Sequence, residues 1–391
     1  MAGSRTRRPS RRATLSRWAY WVHGLAGLKL GVVLAVVMVT GTLAVFGHEW
    51  DWLFGPYQRV VPEGEPAGLA KVYETVRETH PRYAILRVEA PRGPRSAAPV
   101  RVVTPERQYR RVYVDPYKRK VVGDADLLSA QTFFRQIHMS LLLPKYGRLF
   151  VSALSILTLV SLISGLLCYK RFWRGFLKIP RTRNLRLFLG DCHRLAAVWS
   201  IWFLALMALT GLWYFYESLD TFGTHTDVPR LSAQSVPRTE GGPPERIAMA
   251  EAVRIAKDEL NDFDPTRLVI PRGPRDPVEI AGRTNAWLVR PRASVVALDP
   301  YSGEVIHRRT AANLSWKARL HEAVDPLHFG TFGGFATKLI WFVFGAAMSF
   351  LSISGIVIYT RRLTNRAYSR PKQANRGETT GDTGEWGAGV T

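Results

Sequence analysis

Four long apolar blocks, Trp21 to Phe46, Leu149 to Tyr169, Leu195 to Tyr216 and Leu339 to Tyr359, constrain this chain more than any other feature. Each holds about 20 apolar residues, enough for a helix to rise the roughly 30 Å of a bilayer's hydrocarbon. They therefore predict four transmembrane helices. The one charge in the first block, Lys29, lies near its basic end, where a long aliphatic stem lets the ammonium snorkel to the interface. Ser4 to Arg17 has the look of a signal n-region and contains Arg11-Arg12. The apolar block that follows is too long for a signal h-region and lacks a small-residue cleavage site, so it reads as an uncleaved signal anchor.

Orientation follows from the basic residues beside the spans. Arg5, Arg7, Arg8, Arg11, Arg12 and Arg17 precede the first; Lys170, Arg171, Arg174, Lys178, Arg181, Arg183 and Arg186 separate the second from the third; Arg361, Arg362, Arg366, Arg370 and Lys372 follow the fourth. These ends, and with them both termini, are predicted to face the cytoplasm. The same residues supply much of the net charge of +23. They fit an anionic lipid surface, so membrane lipid is the expected partner and nucleic acid is not. The two cysteines, Cys168 and Cys192, fall at cytoplasmic helix ends, and no Cys-x-x-Cys-His exists for a c-type haem.

The chain is also duplicated. His23 precedes Gly41 by 18 residues and His193 precedes Gly211 by 18, in Thr40-Gly41 and Thr210-Gly211; His138 precedes Gly165 by 27 and His328 precedes Gly355 by 27, in Ser164-Gly165 and Ser354-Gly355. The polar inserts repeat too, with Pro91 to Arg95 matched by Pro271 to Arg275 and Asp115-Pro116-Tyr117 by Asp299-Pro300-Tyr301. Each insert opens on a helix-like stretch, Ala67 to Thr79 and Pro244 to Leu260, before alternating strand-like runs whose last pair is joined by the Asp-Pro-Tyr turn.

The expected organisation runs in order: a basic cytoplasmic N-terminus (1–18), helix one (19–47), module one (48–147), helix two (148–170), a basic cytoplasmic loop (171–192), helix three (193–216), module two (217–335), helix four (336–360) and a cytoplasmic tail (361–391). The fold class expected is an all-α four-helix membrane bundle from a tandem duplication, carrying two small α+β modules outside the membrane. The tail from Ser369 has no apolar period and is expected to be disordered, without room for a flavin or nicotinamide domain.

Ionisable side chains near hydrocarbon are costly and usually functional. His23 and His193 open the first and third spans on the cytoplasmic side; His138 and His328 precede the second and fourth on the outer side. Neutral imidazole is a good axial ligand for haem iron, and two helices offering one histidine each can clamp a b-type haem. Two pairs predict two haems. Eighteen residues are five helical turns, which would put Gly41 on the face of His23 about 27 Å away. There it would leave space for a macrocycle, as would Gly211 for His193. Gly27, Gly31 and Ala197 are expected to clear the inner layer. Close helix packing is an equally good use of such small residues. His48 and His321 are reserve outer ligands, whereas His80, His225 and His307 lie in the inserts and carry no assigned role. Trp199, Trp202 and Trp213 read as interfacial or packing residues.

Trp21-Val22-His23-Gly24-Leu25-Ala26-Gly27 with Thr40-Gly41, and Leu327-His328-Phe329-Gly330-Thr331-Phe332-Gly333-Gly334 with Ser354-Gly355, resemble the PepSY-associated transmembrane family, which includes bacterial ferric-siderophore reductases. The turn Asp299 to Val305 looks like the end of a PepSY module; the first insert instead has Lys118-Arg119-Lys120 there. The resemblance spans about residues 18 to 362. It implies a bacterial inner-membrane protein with periplasmic PepSY-like modules and, as in the reductases, two b-type haems on His23, His138, His193 and His328.

The expected function is transfer of electrons from a separate donor, a quinol or a cytoplasmic reductase, across the membrane to a periplasmic ferric siderophore or other ferric chelate. Reduction to iron(II) weakens the hold of oxygen-rich ligands and aids iron release. The rival is a non-catalytic PepSY membrane protein that binds or regulates a periplasmic partner. An ion permease would want carboxylates or thiolates within the spans, and the sequence places essentially none there.

Overall fold

The computed structural model describes residues 14, 17–24, 30–144, 146–169, 171–182, 184–220, 228–232, 236–237 and 244–368. Gly27, Lys29, His225, the arginines from 5 to 12, Lys170, Arg183 and the tail from Ser369 lie outside the described residues.

Two helices are straight, apolar and long enough to cross a bilayer: α6 (Gly147–Cys168) and, after the short α10 (Trp316–Phe329), α11 (Gly334–Tyr368). The other two apolar blocks are broken. The first comprises α1 (17–24), α2 (Gly31–Val45) and α3 (Gly47–Phe54), with a 62° bend between α2 and α3; the third comprises α7 (Leu185–Trp199) and α8 (Ile201–Asp220), bent by 67°. Leu30, which precedes α2 (φ −116°, ψ 11°), and Ser200, which follows α7 (φ −95°, ψ 4°), lie outside helical geometry, each seven residues after the matched histidine.

Helix α2 packs along α11 and α6 along α8, so each half of the duplication lends one helix to each pair. Small residues let the backbones approach. Thr42 Oγ1 meets Ser349 Oγ at 3.1 Å, while Gly31 lies against Ile356 and Gly211 against Ser155. Val36, Ile156, Ile163, Leu209 and Val343 point outward, as a lipid-facing surface requires.

Both polar inserts fold as a helix on a four-stranded meander. In the first these are α4 (Leu69–Thr79), β1 (Ala84–Glu89), β2 (Ala98–Val103), β3 (Tyr109–Asp115) and β4 (Lys120–Asp126), after which α5 (Ala130–Ser140) leads into α6. In the second they are α9 (Met249–Glu259), β5 (Asp264–Val269), β6 (Val278–Arg283), β7 (Ser294–Leu298) and β8 (Val305–Arg309). Leu69, Val72 and Val76 of α4, and Met249, Ala252 and Ala256 of α9, recur at helical spacing and bury against Val88, Val100, Val112, Leu268, Ile280 and Val296. In the two Asp-Pro-Tyr turns Asp115 and Asp299 accept from the backbone of Tyr117 and Tyr301 at 2.9 and 2.8 Å. Those tyrosines donate back to Pro94 and Pro274 at 2.8 and 2.9 Å, tying down the repeated Pro-Arg-Gly-Pro-Arg loops.

The two meanders are not separate modules. β1 pairs antiparallel with β5, giving one eight-stranded sheet of order β4-β3-β2-β1-β5-β6-β7-β8 over one continuous core. This corrects the expected fold class. The molecule is not a four-helix bundle bearing two modules; two straight spans and two bent helix pairs stand beside a single mixed layer of sheet and helices. The union removes two unpaired strand edges, which would otherwise invite association.

One sheet face carries α4 and α9. The other looks on the helices: Arg309 on β8 reaches Glu322 of α10 at 3.5 Å, Arg290 meets the same carboxylate at 2.7 Å, and Trp52 of α3 donates to Arg95 O at 2.9 Å.

Candidate functional site

The four matched histidines occupy two levels of the helical region, and each docks on a dipeptide of small residues highlighted by the repeat or on the turn before it. His23 on α1 donates from Nδ1 to Ser161 O at 3.0 Å, with Ser164 Oγ at 3.3 Å, beside Gly165. His193 on α7 contacts Ser354 Oγ at 2.8 Å beside Gly355. Nearer the sheet, His138 on α5 donates to Val37 O at 2.8 Å against Gly41, and His328 on α10 meets Thr210 Oγ1 at 2.8 Å.

Tautomers follow from these partners. Carbonyls only accept, so Nδ1 of His23 and His138 carries the proton. The Thr210 and Ser354 hydroxyls also reach Leu206 O and Leu351 O, at 2.8 and 3.3 Å; with their protons placed there, His328 and His193 donate as well, and all four rings then present an unprotonated Nε2. A second partner that fixes the ring and leaves the opposite nitrogen basic is the usual support of a metal-bound histidine.

The His138 and His328 rings stand 6.0 Å apart between centroids, tilted by 42°. Imidazoles on opposite sides of one metal, with metal–nitrogen bonds of about 2 Å, are separated by about this distance. His23 and His193 lie within electrostatic reach of each other at the far level. The donor set, two neutral imidazoles per level with their second nitrogens committed, fits the iron of a b-type haem. Gly31 against Ile356 marks the far level on α2 and Gly41 against His138 the near one; ten residues apart, they set the levels about 15 Å from each other along the helix.

Local sequence explains how the near pair is presented. Ser129 caps α5, and Asp51 of α3 accepts the Gln131 N–H at 3.0 Å. At the end of α10, Gly330 turns left-handed (φ +67°) beneath Trp341, whose indole donates to Leu327 O at 2.8 Å. A Cβ on Gly330 would stand 2.5 Å from the Trp341 ring, so the His-Phe-Gly run is a turn that needs its glycine.

Several expectations about the small residues change. Because Leu30 and Ser200 lie outside helical geometry, the five-turn alignment of His23 with Gly41, and of His193 with Gly211, does not exist; Gly41 makes room for the His138 ring itself, while Gly211 and Gly31 pack against neighbouring helices. Of the reserve ligands, His321 is held by Glu217 at 2.7 Å, and His48 sits among Arg92, Lys338, Arg111 and Arg135. Trp199 donates to Phe176 O at 2.9 Å, Trp202 packs edge-on to Trp341 and Phe344, and Trp213 donates to Glu217 at 2.6 Å.

Sequence reading missed the group beside His328. The Tyr214 ring lies edge-on at 5.2 Å, its hydroxyl donates to Asp325 at 2.7 Å, and Asp325 lies 3.6 Å from Arg290. The duplication gives no hint of it, because Arg135 stands three residues before His138 where Asp325 stands three before His328. An apolar groove of about 270 Å³, lined by Trp18, Val22, Ile163 and Ser164, opens beside His23 at the far level.

Comparison with known proteins places these features in context. The family described as PepSY-associated TM region matches residues 20–362. An uncharacterized protein of Pseudomonas aeruginosa is 27% identical over 266 residues, which cover 61% of this chain and 66% of that relative's length.

Proposed function

This chain belongs to the PepSY-associated transmembrane family, and on that premise we propose that it carries electrons across the bacterial inner membrane to a ferric chelate, a siderophore or a related complex, in the periplasm. The observation that carries this reading is the near pair: two imidazoles 6.0 Å apart, each with Nδ1 committed to a neighbouring helix. In the proposal His23 with His193, and His138 with His328, hold one haem b each.

Haem bound at each level would supply one-electron carriage. The chain's own part is to fix the four tautomers through Ser161, Ser354, Val37 and Thr210 and to keep the levels about 15 Å apart, about half the depth of the hydrocarbon. The groove beside His23 suits a lipid-soluble donor. A quinol oxidised there gives up two electrons and two protons, enough to convert two ferric ions to ferrous. Arg171, Arg174, Lys178 and Arg181 after α6, and Arg361 on α11, support a cytoplasmic position for the far level and a periplasmic one for the sheet.

The test is a reduced-minus-oxidised visible spectrum with a haem-to-protein ratio on detergent-purified protein. Two b-type haems per chain are expected. A colourless protein from cells supplied with haem would overturn the reading and favour a protein that binds a periplasmic partner without redox chemistry.

A further inference from the structure

The sheet face that looks on the helices carries a row of like charges. Arg87 on β1 is the direct cross-strand neighbour of Arg101 on β2, and Arg101 of Arg111 on β3. Like charges so placed repel and destabilise a sheet. Glu89 relieves only part of this, at 3.1 Å from Arg87 and 3.0 Å from Arg267. Arg111 donates to the Tyr113 hydroxyl at 3.2 Å, which offers no negative charge. Burial first, and then the neighbouring Arg111, lower the Arg101 pKa from its ordinary value.

The second half of the chain is an internal control. It holds Arg267 at the place of Arg87, but Ala281 and Val295 pair across the sheet where the first half has Arg101 and Arg111. The fold therefore does not require those two arginines. Further cations are not far off, since Arg92, Arg111, Arg135 of α5 and Lys338 of α11 all act electrostatically on His48. Glu49 and Lys338 pair at 2.6 Å and offset each other, and Asp51 accepts from the Gln131 amide. Half-buried guanidiniums in excess of carboxylates call for an anion from outside the chain.

We propose that the sheet face carrying Arg87, Arg101 and Arg111 binds a small polycarboxylate anion, with Arg135 of α5 as a further cation. Resting on the electron-transfer reading above, the inference makes the acceptor a carboxylate-rich ferric chelate, placed at the level of His138 and His328. The carboxylates of a haem held at that level offer the same chemistry, and the test separates the two sources.

Citrate, free and iron-loaded, would be titrated calorimetrically into the full-length protein in detergent, with and without haem, beside an Arg101→Ala/Arg111→Val variant. That variant installs the second repeat's own residues, so it is expected to melt no lower than the parent. Citrate should bind the haem-loaded parent with salt-sensitive affinity and at least tenfold more weakly to the variant, at unchanged haem content. Equal binding to both proteins, or none to the parent at millimolar citrate, would overturn the proposal. So would citrate binding confined to haem-free protein together with haem loss in the variant, which would assign the arginines to the haem carboxylates. Since binding is read without electron transfer, a parent that carries no haem from haem-supplied cells yet binds citrate more tightly than the variant refutes the electron-transfer reading and leaves the anion site standing.

Discussion

Replacing Gly41 by alanine tests the near pair through geometry alone. The new Cβ would lie 2.5 Å from His138 Cε1 and 2.6 Å from Nδ1, whereas relaxed carbon contacts fall near 3.5 Å, so the ring must retreat by about 1 Å. Retreat breaks the 2.8 Å bond to Val37 O, a loss of about 1 kcal/mol, within an overpacking cost of about 1–3 kcal/mol. A fold with this much helix packing should survive that. A metal bond of about 2 Å tolerates no such displacement of its ligand. Gly41→Ala is therefore expected to purify as a monodisperse protein with one haem instead of two. Gly165→Ala is the matched control, because its Cβ would meet His23 Cε1 at an ordinary 3.5 Å, and it should keep both. The pyridine haemochrome ratio, read beside a thermal melt, decides. Full haem content in Gly41→Ala would refute the placement of a ligand at His138; equal loss in both variants would refute the discrimination between 2.5 and 3.5 Å.

Other substitutions test the soluble layer and the α10 turn. Arg119 holds a left-handed backbone (φ 51°) where the second repeat has Gly303, so Arg119→Gly should stabilise the sheet by about 0.5–1 kcal/mol, read from the melting midpoint. Gly330→Ala adds left-handed strain to a 2.5 Å clash with Trp341 and should cost about 2–4 kcal/mol while displacing His328; a melt unchanged within error would count against the turn geometry. For Glu89, burial raises the carboxyl pKa, but Arg267, Arg87, Arg92 and Arg111 together outweigh it and hold the value below the ordinary 4.5. A carboxyl depressed on folding contributes stability above its unfolded pKa and loses it as pH falls through the folded value. Melts should therefore lose stability as pH falls below the ordinary 4.5 of this group, and Glu89→Gln should remove that component of the slope.

The duplication was legible because the histidines, the glycines and the Asp-Pro-Tyr turns recur at fixed intervals, and such intervals are hard to obtain without common structure. What hydropathy could not reveal is where a helix bends. Trp199-Ser200-Ile201 contains neither proline nor glycine, yet Ser200 is fully buried and leaves helical geometry, turning His193 onto a separate arm from the span. Nor could strand patterning show that β1 and β5 join, because a strand's alternation reports its faces and says nothing of its edges. Breaking and joining have one consequence. The bend at Ser200 lets His193 reach across to Ser354 of α11, as His23 reaches Ser164 of α6, while the joined sheet holds the entries of α5 and α10 so that His138 and His328 meet at 6.0 Å. Each histidine thus rests on the other membrane segment of its own half, and the pairs then form between halves. A single copy of the repeat would supply one ring at each level and no partner for it, which makes the duplication itself the physical requirement for a two-ligand site.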